Sequence, residues 1–220
     1  NRTQLTAGDV RRIAGTDRFE TAARVAAEVG GTEAYVTEGN NANPNRGWPD
    51  AVAVSGLAAF QQRPILLVTS GVVPAATAAA IDDRGITDLT VVGGEAAVSA
   101  AVFNELGQLA DTTRIAGESR YATSLLVAQA AEAAGMSPSR TWFATGQNFP
   151  DALAAGPAVA ANGGILLLTS GGPLSGSTTS QTWLAGNNDV LARVFLIGGT
   201  AALTTEFEND VRALALIHRF

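Results

Sequence analysis

The chain has 220 residues, 46% of them hydrophobic and 15% charged, which fits one or two globular domains and excludes a disordered polymer. A net charge of −6 and a pI near 4.8 disfavour nucleic-acid binding, because duplex affinity rests on a basic face that neutralises phosphates. There is no cysteine and one histidine, His218, so thiol nucleophiles, disulfides, Cys-ligated metals, a His-based triad and a multi-His metal site all lack their side chains.

No apolar run reaches the ~18 residues that span a bilayer, so membrane insertion is not expected. All 14 basic residues are arginine, as in chains from GC-rich genomes. The chain starts at Asn1 rather than Met and reads as a piece of something longer. No cofactor or metal is expected.

In chain order, the phrase "RIAG" at Arg12–Gly15 precedes a segment, 16–29, whose apolar positions Phe19, Ala22, Ala23, Ala26 and Val29 have helical spacing. "AYVTEG" (34–39) predicts a short buried strand. Pro49 and Asp50 open a helix to about Gln62, with Pro and an acid where helix starts favour them. "PILLVTS" predicts an apolar strand, 74–84 a helix, "DLTVVGG" a strand and 96–106 a helix. "TRIAG" (113–117) predicts a short strand at a seam. The second half predicts helices over 120–134, 150–161, 177–185 and 204–213, and strands over 141–145, 165–169 and 193–197.

The second half restates the first. "RIAGTDRFETA" (12–22) and "RIAGESRYATS" (114–124) share six of eleven positions. "GWPDAVAVSG" is matched by "NFPDALAAG", "ILLVTSG" by "ILLLTSG", and "VVGGEAAVS" by "LIGGTAALT", all in the same order. The offset grows from 102 to 105 residues, a period that suits a small domain rather than a solenoid unit. The expected divisions are residues 1–111 and 112–217, with 218–220 ("HRF") opening a third copy. Strands apolar along their whole length, alternating with helices, predict parallel sheets covered on both faces. The fold class is therefore α/β: two tandem Rossmann-like three-layer α/β/α repeats.

Several residues carry candidate chemistry, each with a structural reading beside it. Gly93-Gly94 and Gly198-Gly199 suit either a phosphate cradle or a tight strand-to-helix turn. No GxGxxG or P-loop pattern is present. Thr69, Ser70, Thr169 and Ser170 end equivalent strands and suit sugar or anion binding, or turn capping. Asp50 and Asp151 suit catalysis or metal ligation, or stabilisation of a helix start. Neither has an acid/base partner repeated in both copies, which disfavours an enzyme. Arg12, Arg18, Arg114 and Arg120 recur in register and suit a grip on an anionic ligand or a bridge to a neighbouring domain. The Asn-rich stretch 40–48 has no counterpart of equal length in the second copy. Trp48 beside it is the candidate for stacking on a sugar, whereas Trp142 lies within a strand and reads as core.

These collinear phrases resemble the cell wall-binding repeat 2 family of Gram-positive surface proteins over nearly the whole chain. The resemblance implies a secreted, non-catalytic module held at the extracellular wall surface, with Rossmann-like units about a pseudo-threefold axis and usually three repeats beside an effector. It implies as partner an anionic wall glycan or teichoic-acid-like polymer. The family phrase carries onto Arg12, Ile13, Gly15, Arg18, Phe19, Thr21 and Ala22, and onto Arg114, Ile115, Gly117, Arg120, Tyr121 and Thr123. Gly164 replaces the proline of the "PILL" phrase, and Ser124 an alanine. With two copies present, a third repeat or a homo-oligomer would supply the rest. The alternative is a surface-layer or adhesin module that binds another protein through the 40–48 loop.

Overall fold

The computed structural model describes residues 10–148 and 150–217. The expected third-copy opening at 218–220 lies outside them, as does Phe149, the counterpart of Trp48. Helix α1 (Arg18–Val29) starts at a reciprocal cap: Asp17 accepts from the Glu20 amide, and Glu20 accepts from the Thr16 amide at 2.6 Å. Then follow β1 (Glu33–Asn40), α2 (Pro49–Phe60), β2 (Ile65–Thr69), α3 (Ala75–Asp83), β3 (Asp88–Val92), α4 (Ala100–Leu109) and β4 (Asp111–Ile115). The second set is α5 (Arg120–Ala133), β5 (Arg140–Thr145), α6 (Pro150–Leu153), α7 (Ala155–Ala161), β6 (Ile165–Thr169), α8 (Thr178–Gly186), β7 (Arg193–Ile197) and α9 (Thr205–Ile217).

Both sheets are parallel, in the orders β2-β1-β3-β4 and β6-β5-β7. Two tandem α/β units with helix-flanked parallel sheets therefore stand as the apolar strands require. The seam strand β4 belongs to the first sheet, with Val91 opposite Arg114 and Val92 opposite Ile115. The opening phrase of the second repeat thus completes the sheet of the first.

Two helix expectations are corrected. The helix predicted from Ala96 starts at Ala100. The amides of Ala97 and Val98 both turn back to the Gly94 carbonyl, and Ser99 caps the amide of Val102. The helix predicted over 150–161 is broken at Ala154. Pro157 has no N–H to offer the carbonyl four residues back, on Leu153, so the hydrogen-bond ladder is interrupted there.

The units share one core. Val52, Val54 and Leu57 of α2 cluster with Val127, Ala128 and Ala131 of α5, and with Val159 of α7. Gly156 permits the close crossing of α7 over α2, because a Cβ there would meet the Ser55 side chain. A second core lies on the opposite side of the first sheet, around Ala26, Val36, Leu66 and Ile81.

Candidate functional site

The sheet order reverses direction at β1 and β3, and in open α/β sheets ligands bind in the crevice beyond the carboxyl ends of such strands. A cleft of about 330 Å³ opens there, between the two units. Glu38 from the end of β1, Asp50 from the start of α2, Glu95 from the turn after β3, and Glu118 and Arg120 from the start of α5 line it. Glu38 is 3% exposed and accepts from the Asn41 amide group at 2.7 Å. Burial pushes the Asp50 carboxyl up to about 6; the Glu38 charge adds to the rise, and Arg120 and Arg46 oppose it.

A second groove, of about 390 Å³, lies on the other side of the 40–48 loop, lined by Arg18, Asn40, Asn41, Pro44, Arg46 and Trp48. The loop is internally bonded: the Asn43 amide donates to the Asn41 side chain, the Asn45 amide to that of Asn43, and the Trp48 indole N–H to the Pro44 carbonyl. Arg46 ties it to its own unit through the Ala96 carbonyl at 2.5 Å, and Arg120 ties it to the second unit through the Asn45 carbonyl at 2.7 Å.

The repeated phrase is structural at most of its letters. Arg114 donates through one terminal nitrogen to the Gly93 carbonyl at 2.6 Å and through the other to Val98 at 3.0 Å, with its guanidinium 4.6 Å from the Phe103 ring centre. Burial lowers its pKa and Glu95 offsets part of that. Gly117 donates to the Thr123 hydroxyl and Gly15 to that of Thr21, each at 3.0 Å. A Cβ at either glycine would collide with the first turn of the following helix. Arg18 donates to the Gly39 carbonyl at 2.8 Å and Arg120 to the equivalent Gly146 carbonyl at 2.6 Å.

The structure thus brings Arg18, Trp48 and Arg120 around one loop. Arg120 lies over the Trp48 ring at 5.4 Å, and Trp48 also packs against the shared core. Arg12 is exposed, in an irregular stretch before α1. Thr69 closes a turn with Val72, and the Ser70 carbonyl accepts from the Ser99 amide. Ser170 is half-buried outside both depressions. Thr169 is 0% exposed, and its hydroxyl joins a buried chain with Ser177 and Ser180. Trp142 stacks on Phe195 at 4.0 Å, and Trp183 is buried, bonded to the Thr141 hydroxyl. Arg46, Asn40 and Asn41 entered the sequence reading only as part of the 40–48 loop, through its excess length and its asparagine content. Among the described residues no group of three His, Cys, Asp or Glu is placed to hold a metal ion.

Residues 12–103 and 114–208 each match the family described as Cell wall binding domain 2 (CWB2). The chain is 33% identical over 204 residues to N-acetylmuramoyl-L-alanine amidase LytC of Bacillus subtilis (strain 168), covering 92% of this chain and 38% of that protein. It is 27% identical over 213 residues to the amidase enhancer of the same organism, covering 94% and 27%. Cwp6 and Cwp8 from Clostridium difficile share the fold, with TM-scores of 0.78 and 0.74 at 22% identity, over 92% and 93% of this chain and 31% and 33% of theirs. The chain therefore spans well under half the length of these relatives. It belongs to the Cell wall binding domain 2 family, as two tandem copies of a non-catalytic wall-binding unit that works outside the cell, at the wall surface.

Proposed function

We propose that this module binds an anionic secondary wall polymer of teichoic-acid type and so holds a longer secreted protein on the wall. The observation that carries the reading is the groove in which Arg18 and Arg46 stand with Asn40, Asn41 and Trp48. Guanidinium forks match phosphate and carboxylate oxygens, and carboxamides match sugar hydroxyls. In a chain of net charge −6, two cations in one open groove form a local anion site against the overall field. The names of the two Bacillus subtilis relatives support the anchoring part, since the shared segment is a minor part of an amidase and of an amidase enhancer.

Sedimentation with purified Gram-positive walls tests the proposal. Binding should fall steeply between low and high salt, because exposed charge pairs are screened. It should also disappear when walls are stripped of their phosphate-bearing polymers. Retention on stripped walls refutes the anionic-polymer reading. Loss of retention only after protease treatment of the walls favours the protein-partner alternative for the 40–48 loop.

A further inference from the structure

Three of the repeated arginines, Arg18, Arg114 and Arg120, and Arg46 of the loop divide into committed and uncommitted ones. A guanidinium carries five N–H donors. Arg114 spends both terminal nitrogens on backbone carbonyls, Gly93 and Val98, and is half-buried over Phe103. Arg120 likewise spends both, on Gly146 and Asn45, and lies over Trp48. Among the described residues, Arg18 donates one hydrogen bond, to Gly39, and Arg46 one, to Ala96. Each makes a single hydrogen bond, and both line the same groove, Arg46 reaching from there to the acid-lined cleft as well.

The 40–48 loop creates this inequality. Arg120 stands in the second unit where Arg18 stands in the first, since each donates to the glycine at the carboxyl end of the first strand of its unit, Gly39 or Gly146. In the second unit that arginine is capped by the Asn45 carbonyl of the first unit's loop. The same loop supplies Asn40, Asn41, Arg46 and Trp48 to the groove around Arg18. The second unit has only Gln147 to Phe149 in the corresponding place. One insertion thus walls the groove around Arg18 in the first unit and occupies its equivalent in the second.

We infer that the chain has one anion-binding site, formed by Arg18 and Arg46 with Asn40, and that Arg114 and Arg120 do not contact the ligand. Its ligand is one sugar unit carrying a phosphate or carboxylate, with the anion between the two guanidinium forks and a hydroxyl on the Asn40 carboxamide. The neighbouring cleft, which Arg46 and Arg120 also line, carries the four acids Glu38, Asp50, Glu95 and Glu118, whose charge disfavours an anion there. This inference rests on the anionic-polymer reading above.

The test is isothermal titration of the whole chain with short glycerol-phosphate oligomers, beside wall sedimentation. One site per chain is expected, with affinity lower by about tenfold or more in Arg18→Ala and in Arg46→Ala, as loss of a charge-assisted bond requires. Arg212→Ala, on the exposed face of α9, should bind as the unaltered chain does. The side-chain Nε–H signals of Arg18 and Arg46 should shift on addition of inorganic phosphate while that of Arg114 does not, a readout independent of variant folding. Two equal sites, or undiminished binding by both variants, overturns the assignment while leaving the proposed function in place. Failure of the unaltered chain to bind any anionic probe overturns both.

Discussion

The Asp50 carboxylate stands where a Cβ on Gly93 would have to lie, and Asp151 stands in the same relation to Gly198. The two glycines have φ of +117° and +114°, a backbone region that side chains other than glycine rarely adopt. The repeated "PDA" and "VGG" phrases are thus two halves of one contact: an acid at a helix start packed beneath a strand-to-turn glycine. Gly93→Ala is expected to lower stability by about 2–4 kcal/mol, combining backbone strain with the collision. Urea unfolding measures it. Adding Asp50→Ala should recover only the collision part, so the double-mutant cycle should show coupling between the two positions.

Asp50 gives the module a pH dependence whose sign is fixed. Its carboxyl has a pKa of about 6 in the folded chain, against 3.8 for an unhindered aspartate. The folded state therefore binds the proton more tightly than the unfolded state between those values. Stability falls as pH rises through that window, and the loss is complete above about 6. Integrated, the shift corresponds to about 3 kcal/mol as an upper figure, since one pKa unit is about 1.4 kcal/mol. Unfolding at pH 4.5 and pH 7.5 should show this component in the native chain. Asp50→Asn should flatten it. An unchanged slope in that variant would assign the pH dependence to other groups.

Arg114 is expected to matter for stability rather than for binding. Removing it frees two carbonyls in the turn between β3 and α4 and loosens β4 from the sheet edge. Arg114→Ala should cost about 2–4 kcal/mol. Arg114→Lys should recover only part, because an ammonium on one stem cannot span both carbonyls as the planar fork does. Amide exchange should accelerate first in Asp111–Ile115, with wall binding at saturating folded protein unchanged.

Much of this architecture is legible in the sequence because its strands are apolar throughout and its repeats fix one another's register. The limits are equally local. Val25 and Val127 hold the same place in the two repeats, yet Val25 is 43% exposed and Val127 2%. Only α5 is covered by α2, and no periodicity within a helix encodes that. The ownership of β4 was hidden for a similar reason: its letters belong to the second repeat and its hydrogen bonds to the first sheet. The arginines were visible as a repeated pattern, but whether a guanidinium meets a ligand or a carbonyl depends on backbone groups some 16 to 75 residues away. The 40–48 loop was visible as an excess of length, and its grip on Arg120 was not.

The departure at Gly164 illustrates how a repeat drifts without losing its fold. The first copy has Pro64 before its "ILL" strand and the second has glycine. A Cβ at Gly164 would lie 2.5 Å from the Arg140 carbonyl oxygen and 2.9 Å from the indole nitrogen of Trp142. The Gly164 amide also donates to the Val159 carbonyl at 3.0 Å, a bond that proline cannot make. Tyr35 occupies the place of Trp142 in the first copy and directs its hydroxyl to Gln61 instead. Restoring the first-copy residue, Gly164→Pro, should therefore destabilise the chain by about 3 kcal/mol or more, from the lost bond and the crowding together. Trp142→Tyr in the same chain should relieve the contact with the indole but leave the Arg140 carbonyl and the missing amide, so rescue should be partial. Thermal unfolding of the single and double variants decides this. Full rescue would place the whole constraint on Trp142, and no destabilisation would show that the glycine is a neutral replacement.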